Sequence, residues 1–210
     1  NDARRQRQMC IRDRNYNNIS LIYSSKGDYQ QALFFGKKSL EINLEVFGEK
    51  HPAVAINYSN LGNDYQYSGD LEVGLEYFKK AAAIYEEAYG KQSYRVAGVL
   101  ENIASVLMDM GEVPKAQLNL EDALDIYKST VGESSLLTAE CLNNLGEALR
   151  VQERYDAALN RYMEAVNVHK NIPKLPAEAT VYVYGNIGKT LLAKEPVSYT
   201  HLRAHETINH

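Results

Sequence analysis

The sequence predicts an all-α solenoid of antiparallel helix hairpins, and three observations carry that prediction. The first is a period. Asn18, Asn60, Asn102, Asn144 and Asn186 recur every 42 residues, each followed by Ile or Leu and then by a small residue (Ser20, Gly62, Ala104, Gly146, Gly188). Self-similarity at a fixed spacing of this length marks a repeat architecture. The second is apolar spacing inside each period. Tyr58, Leu61, Gly62 and Tyr65 fall at i, i+3, i+4 and i+7, while Leu71, Leu75, Phe78, Ala82 and Tyr85 set a second stripe; both are helical faces. The third is punctuation. Gly27, Gly69 and Gly111 share the repeat spacing, as do Gly48, Gly90 and Gly132, and Gly accepts the positive φ that ends a helix. Such a hairpin alone leaves part of its apolar face uncovered, so it must stack on a neighbour.

Taken in chain order, the first element to judge is not a helix. Met9-Cys10-Ile11-Arg12-Asp13-Arg14 can be encoded as the reverse complement of codons for Pro196-Val197-Ser198-Tyr199-Thr200-His201. One DNA element read from opposite strands explains both ends, and they resemble translated sequencing adaptor. Residues 1–14 and 197–210 are therefore expected to be non-native, and the interior to be a fragment of a longer protein. The interior, 15–196, is expected to hold repeats at about 15–51, 52–93, 94–134 and 135–176, with a partial repeat at 177–196. The expected helix pairs are 15–25 with 29–47, 52–67 with 71–89, 94–109 with 113–131, and 135–151 with 155–171, followed by a lone helix at 177–193. Small residues recur at the same spacing at Ala32, Gly74, Ala116 and Ala158, and at Ser39, Ala81, Ala123 and Ala165.

Composition bounds what such an array does. The 210 residues are 45% hydrophobic and 24% charged with a net charge of −4, a globular balance. Removing the six basic and three acidic residues of the two ends from the 23 and 27 of the chain leaves −7 over 15–196. An acidic chain lacks the basic field that nucleic acid or an anionic membrane requires. No apolar run approaches the ~18 residues of a membrane span. Two cysteines, Cys10 and Cys141, make no disulfide framework, so a reducing compartment, the cytoplasm, is expected. Neither a phosphate-binding loop nor an HExxH, GxSxG, CxxC-pair or dinucleotide fingerprint occurs. The expectation is a non-enzyme with no cofactor and no bound metal.

The internal motif narrows the repeat class. Tyr58-x-x-Leu61-Gly62-x-x-Tyr65 followed by Gly74-x-x-x-Phe78, repeated as Leu142, Leu145, Gly146, Leu149, Ala158 and Tyr162, resembles the tetratricopeptide pattern. The linker Gly48-Glu49-Lys50-His51-Pro52, with paired Asn before Ile or Leu in the first helix, resembles the long repeats of the kinesin light chain type. The resemblance covers essentially all of 15–193. It implies a right-handed superhelix whose inner groove is lined by the first helix of each repeat and takes peptide segments.

Carried over by position, the resemblance places Asn18, Asn60, Asn102 and Asn144 in that groove as a ladder of carboxamides, with Asn186 in the incomplete repeat. Residues on the same helix face add Asn63, Tyr67, Ser105, Asp109 and Glu147, flanked by Glu101 and Asn143. An Asn side chain both donates and accepts, so a row of them suits a peptide backbone. The competing reading is that each Asn bonds a backbone carbonyl between stacked helices and fixes the repeat. These positions lack the paired cations that would clamp a C-terminal carboxylate or an acidic cargo peptide. A neutral or basic peptide segment is therefore the expected partner. The alternative function is a regulatory arm of a larger enzyme or signalling ATPase. Self-association through Ile187, Leu191 and Leu192 of the lone helix is a third.

The remaining features have structural readings. Tyr16, Tyr23, Tyr58, Tyr65, Tyr85, Tyr127 and Tyr162 fall on core registers and are expected to pack. His51 before Pro52 is expected to cap or link. His169 has no partner motif, and Cys141 reads as a small buried residue. Lys37-Lys38 and Lys79-Lys80 read as solvated faces of second helices.

Overall fold

The computed structural model describes residues 2–173 and 175–194, with side chains from Arg12 onward. Among them are nine α-helices: α1 (Asp2–Ser25), α2 (Tyr29–Phe47), α3 (Pro52–Ser68), α4 (Leu71–Tyr89), α5 (Tyr94–Asp109), α6 (Val113–Thr130), α7 (Leu136–Val151), α8 (Tyr155–Asn171) and α9 (Ala177–Lys194). The fold is all-α, of the helical-repeat solenoid class. From α2 onward each helix begins and ends within one residue of its expected bounds. The first does not: expected from 15, it runs back without a break to Asp2. The expected non-native segment 197–210 lies outside the described residues.

Helix ends follow local chemistry. His51 is the N-cap of α3, its Nδ1 accepting from the Ala53 amide at 3.1 Å, with Pro52 at the first helical position where no amide donor is missed. Its ring stacks on Phe47 at 4.4 Å, closing the linker between repeats. Ser93 and Ser135 cap α5 and α7 through their hydroxyls, accepting from Arg95 N–H at 3.3 Å and Thr138 N–H at 3.1 Å. At the turn inside the second hairpin, Gly69 adopts φ 93°. The Asp70 amide then reaches back to Tyr65 O at 2.9 Å, satisfying a last-turn carbonyl.

The helices form two compact units, Asn1–Glu133 and Ser134–His210. In the first, α1 packs on α2, α3 on α4 and α5 on α6, while α2 also meets α3 and α4 meets α5. The first helices α1, α3 and α5 are successive neighbours. The small-residue rows lie in the core: Ala32 and Ala116, and likewise Ser39, Ala81 and Ala123, are completely buried, and a Cβ at Gly74 would fall 2.9 Å from the Gly62 carbonyl oxygen. Gly62 lies against Phe78, whose ring atoms stand 2.8 Å from where a Cβ would be. Tyr16 and Tyr23 stack on Phe35 at 6.0 and 5.6 Å, the packing role expected of them.

In the second unit α7 packs on α8, and α9 lies on α8 with a smaller contact to α7. Tyr162 and Cys141 are fully buried, and a Cβ at Gly146 would fall 2.5 Å from the Tyr162 ring. His169 is buried between α8 and α9, with Nδ1 3.4 Å from Thr180 Oγ1 and Nε2 without a partner. Burial lowers its pKa, as for any imidazole taken out of water. On α9, Leu191 and Leu192 are exposed while Ile187 is half-covered.

Candidate protein-binding face

The repeat brings chemistry to the first helices in a fixed register. On α3, positions 56, 60, 63 and 67 fall on one stripe. Ile56 is 45% and Tyr67 62% exposed, with Asn60 and Asn63 half-buried between them. On α1 the matching stripe holds exposed Asn18 beside Leu21 and Ile22, and on α5 it holds half-buried Asn102 with exposed Ser105 and Asp109. Tyr67 stacks on Tyr29 at 5.8 Å, which fixes its ring while leaving one face to solvent.

The Asn residues do not run as a free row. Asn60 Nδ2 donates to Asn17 Oδ1 at 3.0 Å, across the gap between α3 and α1, and the two are 43 residues apart. The second unit repeats the geometry. Asn186 Nδ2 donates to Asn143 Oδ1 at 3.0 Å, again 43 residues apart, and Asn186 is almost completely buried. The donor is therefore the ladder residue of one repeat, and the acceptor is the residue just before the ladder position of the repeat preceding it. The intermediate pair in the first unit, Asn102 with Ser59, is not bonded, and Ser59 Oγ is buried without a partner. Asn60 and Asn186 thus act first as stitches between neighbouring helices, while Asn18 and Asn144 are exposed and Asn102, like Asn60, is half-buried.

A second polar seam joins α3 to α5, and the sequence reading missed its centre. Gln66, buried, donates from Nε2 to Ser105 Oγ at 2.9 Å and to Asp109 Oδ2 at 2.6 Å. It gathers two expected site residues into one network. Asp64 is likewise buried between α1 and α3 near Ser20 and Ser24. Burial raises its carboxyl pKa, partly offset by those two hydroxyls. A signal was present in the sequence, since this register is apolar in three other copies (Ile22, Val106, Ala148), a hydroxyl in the fifth (Thr190), and ionisable only here.

In the second unit Asn144 is exposed and Glu147 half-buried. Arg150 pairs with Glu147, its Nε donating at 2.9 Å, and Tyr162 Oη donates to the same carboxylate at 3.1 Å. The Arg150 hydrogen bond is the main reason that the Glu147 carboxyl is held below the usual range. Its charge is spent within the unit rather than offered to a ligand. In the first unit Glu101 is similarly engaged, accepting from Tyr127 Oη at 2.8 Å. Among the described residues no group of three or more His, Cys, Asp or Glu is placed to hold a metal ion, and no helix is long and apolar enough to cross a membrane.

Against this geometry, the tetratricopeptide repeat family matches residues 12–87 and 95–171. No curated protein matches the chain. Among solved structures it is similar to BtubC (BKLC) from P. vanneervenii, with a TM-score of 0.74 and 21% identity over 90% of this chain and 78% of that one. It is also similar to the nearly identical TPR-like repeats of a kinesin light chain candidate from Podosopora anserina, with a TM-score of 0.71 and 16% identity over 86% and 85%. The apo form of RapI gives 0.69 and 18%, over 83% of this chain and 46% of that one. At these identities the likeness is one of fold.

Proposed function

This chain belongs to the tetratricopeptide repeat family, whose repeats are generally protein–protein interaction modules, and we propose that it binds a peptide segment of a partner on the first-helix face of its first unit. The observation that carries this reading is the surface of α1, α3 and α5. Leu21 (47% exposed), Ile22 (53%), Ile56 and Tyr67 alternate there with Asn18, Asn63, Asn102 and Ser105. Exposed apolar area interleaved with groups that donate and accept is what an extended backbone with occasional apolar side chains requires. Asp109 is the one charged residue among the proposed positions, Asn18, Asn60, Asn63, Tyr67, Asn102, Ser105 and Asp109, which favours a neutral or basic segment. Asn144 and Glu147 form a separate polar patch on the second unit. The reading is of a non-catalytic scaffold; the chain carries no match to a catalytic family.

Selection of random dodecapeptides on the full chain tests it. Enriched peptides are expected to be neutral or basic. Their affinity is expected to fall about tenfold or more in Tyr67→Ala combined with Asn63→Ala, with helical circular dichroism unchanged, since truncating an aromatic anchor commonly costs ~2 kcal/mol. Binding that survives the double substitution, or a selected pool that is acidic, removes the assignment.

A further inference from the structure

A second opening lies on the opposite, second-helix side of the first unit, between α4 and α6 and floored by α5. It has a volume of about 500 Å³ and is lined by Leu75 of α4, by Ile103 and Leu107 of the α5 floor, and by Leu118 and Asn119 of α6, with the Glu112–Lys115 pair where α6 begins. Leu118 is 62% exposed. Lys79 stands on the α4 rim.

The repeat shows what belongs in such a groove. One period earlier, between α2 and α4, the registers of Lys79, Leu107 and Asn119 are held by Lys37, Tyr65 and Tyr77. There the Tyr65 and Tyr77 rings stack at 5.3 Å with an interplanar angle of 13°, and Lys37 Nζ stands 5.4 Å above the Tyr65 ring. The earlier groove is thus filled from within by two phenol rings under an ammonium. The later one keeps the apolar floor and the lysine but replaces the rings by a smaller Leu and an Asn, and it is open. Lys79 pairs with Glu76 at 2.8 Å, and both side chains are more than half exposed. Such surface pairs are held by about 1 kcal/mol or less, so the ammonium can turn to a ring face.

We propose that the α4–α6 groove binds an aromatic side chain presented by a partner peptide, seated on Leu107 beneath Lys79 where this protein's own tyrosines sit one repeat earlier. Stacking and a cation over the ring favour an aromatic over an aliphatic occupant. The site is independent of the first-helix face.

The test titrates the isotope-labelled full chain with N-acetyl-tyrosinamide and, separately, N-acetyl-leucinamide, following backbone amides by NMR. The tyrosine probe is expected to give saturable shifts at Leu107, Leu118 and Asn119, with the leucine probe at least about threefold weaker. Refilling the groove with Leu107→Tyr and Asn119→Tyr is expected to weaken the tyrosine probe about tenfold. Lys79→Gln, at an exposed position where substitution perturbs the fold little, is expected to weaken it about threefold and leave the leucine probe unchanged. Absence of saturable shifts at these amides, equal response to both probes, indifference to Lys79→Gln, or undiminished binding in a folded double-tyrosine variant would each overturn the proposal.

Discussion

At the scale of single residues, the repeat exposes its own exceptions. The turn inside each hairpin uses a left-handed residue, Gly27, Gly69 and Gly111, and the fourth copy places Glu153 there at φ 60°. A side chain in that conformation costs roughly 1–2 kcal/mol, part of which is returned because glycine loses more freedom on folding. Glu153→Gly is therefore expected to stabilise the protein by about 0.5–1 kcal/mol, read as a higher urea midpoint with an unchanged slope. A lower midpoint would mean that Glu153 makes a compensating contact. Asp64 is the converse case, a buried carboxyl in a register that is uncharged in every other copy. Its unfolded pKa lies near 3.8 and its folded pKa is raised by burial. The stability contributed by the protonated form is present below the unfolded value and is lost as pH rises through the folded one. Asp64→Asn is thus expected to raise Tm at neutral pH, with the advantage vanishing below about pH 4. Thermal melts across that range check it, and a pH-independent difference would assign the effect to packing instead of charge.

At the scale of elements, helix spans and hairpin pairing were legible because 3.6-residue spacing, glycine turns and small-residue rows all repeat and agree. What lay beyond reading was the meaning of each conserved register in each copy. The row Ser20, Gly62, Ala104, Gly146 and Gly188 looks uniform, yet Gly62 is required by the Phe78 ring and Gly146 by Tyr162, whereas nothing lies within 4 Å of a Cβ at Gly188. Likewise the Asn row suggested equivalent groove residues. Which Asn is spent between helices depends on the residue 43 positions earlier, and that offset crosses from one register to the next. Gln66 was invisible for the same reason, since its partners Ser105 and Asp109 stand on the following first helix. The buried stitch makes a quantitative claim. Removing Asn143 takes the acceptor from the buried Asn186 Nδ2, and removing Asn186 takes the donor from Asn143 Oδ1, each at a cost of about 1–3 kcal/mol, while removing both costs less than the sum. A double-mutant cycle of Asn143→Ala and Asn186→Ala by urea denaturation is expected to show coupling of about 1 kcal/mol. Additive costs would show that the bond contributes nothing net.

At the scale of the whole molecule, charge and surface must account for partner choice together. The chain carries −4 overall, and the proposed first-helix positions add no cation to oppose that field. Glu101, one residue before Asn102, is already bonded to Tyr127, and in the second unit Glu147 is bonded to Arg150 and Tyr162. They shape the surface without attracting a ligand strongly. Recognition on this face should then rest mainly on apolar contacts and carboxamide hydrogen bonds, with long-range attraction as a smaller contribution. Exposed charges farther apart than ~10 Å are largely screened at 0.1 M salt, whereas buried apolar contacts are not. Two peptides of equal length and apolar content, one with three lysines and one neutral, should separate these contributions. Affinity for the lysine peptide is expected to exceed that for the neutral peptide at low salt and to converge on it by about 0.5 M sodium chloride, as screening removes the charge contribution. The neutral peptide should change little over the same range. A glutamate peptide that binds more tightly than either would place the binding surface on a cationic part of the molecule and not on the first helices, and a lysine peptide whose advantage survives high salt would show that its preference rests on short-range contacts instead of the screened field.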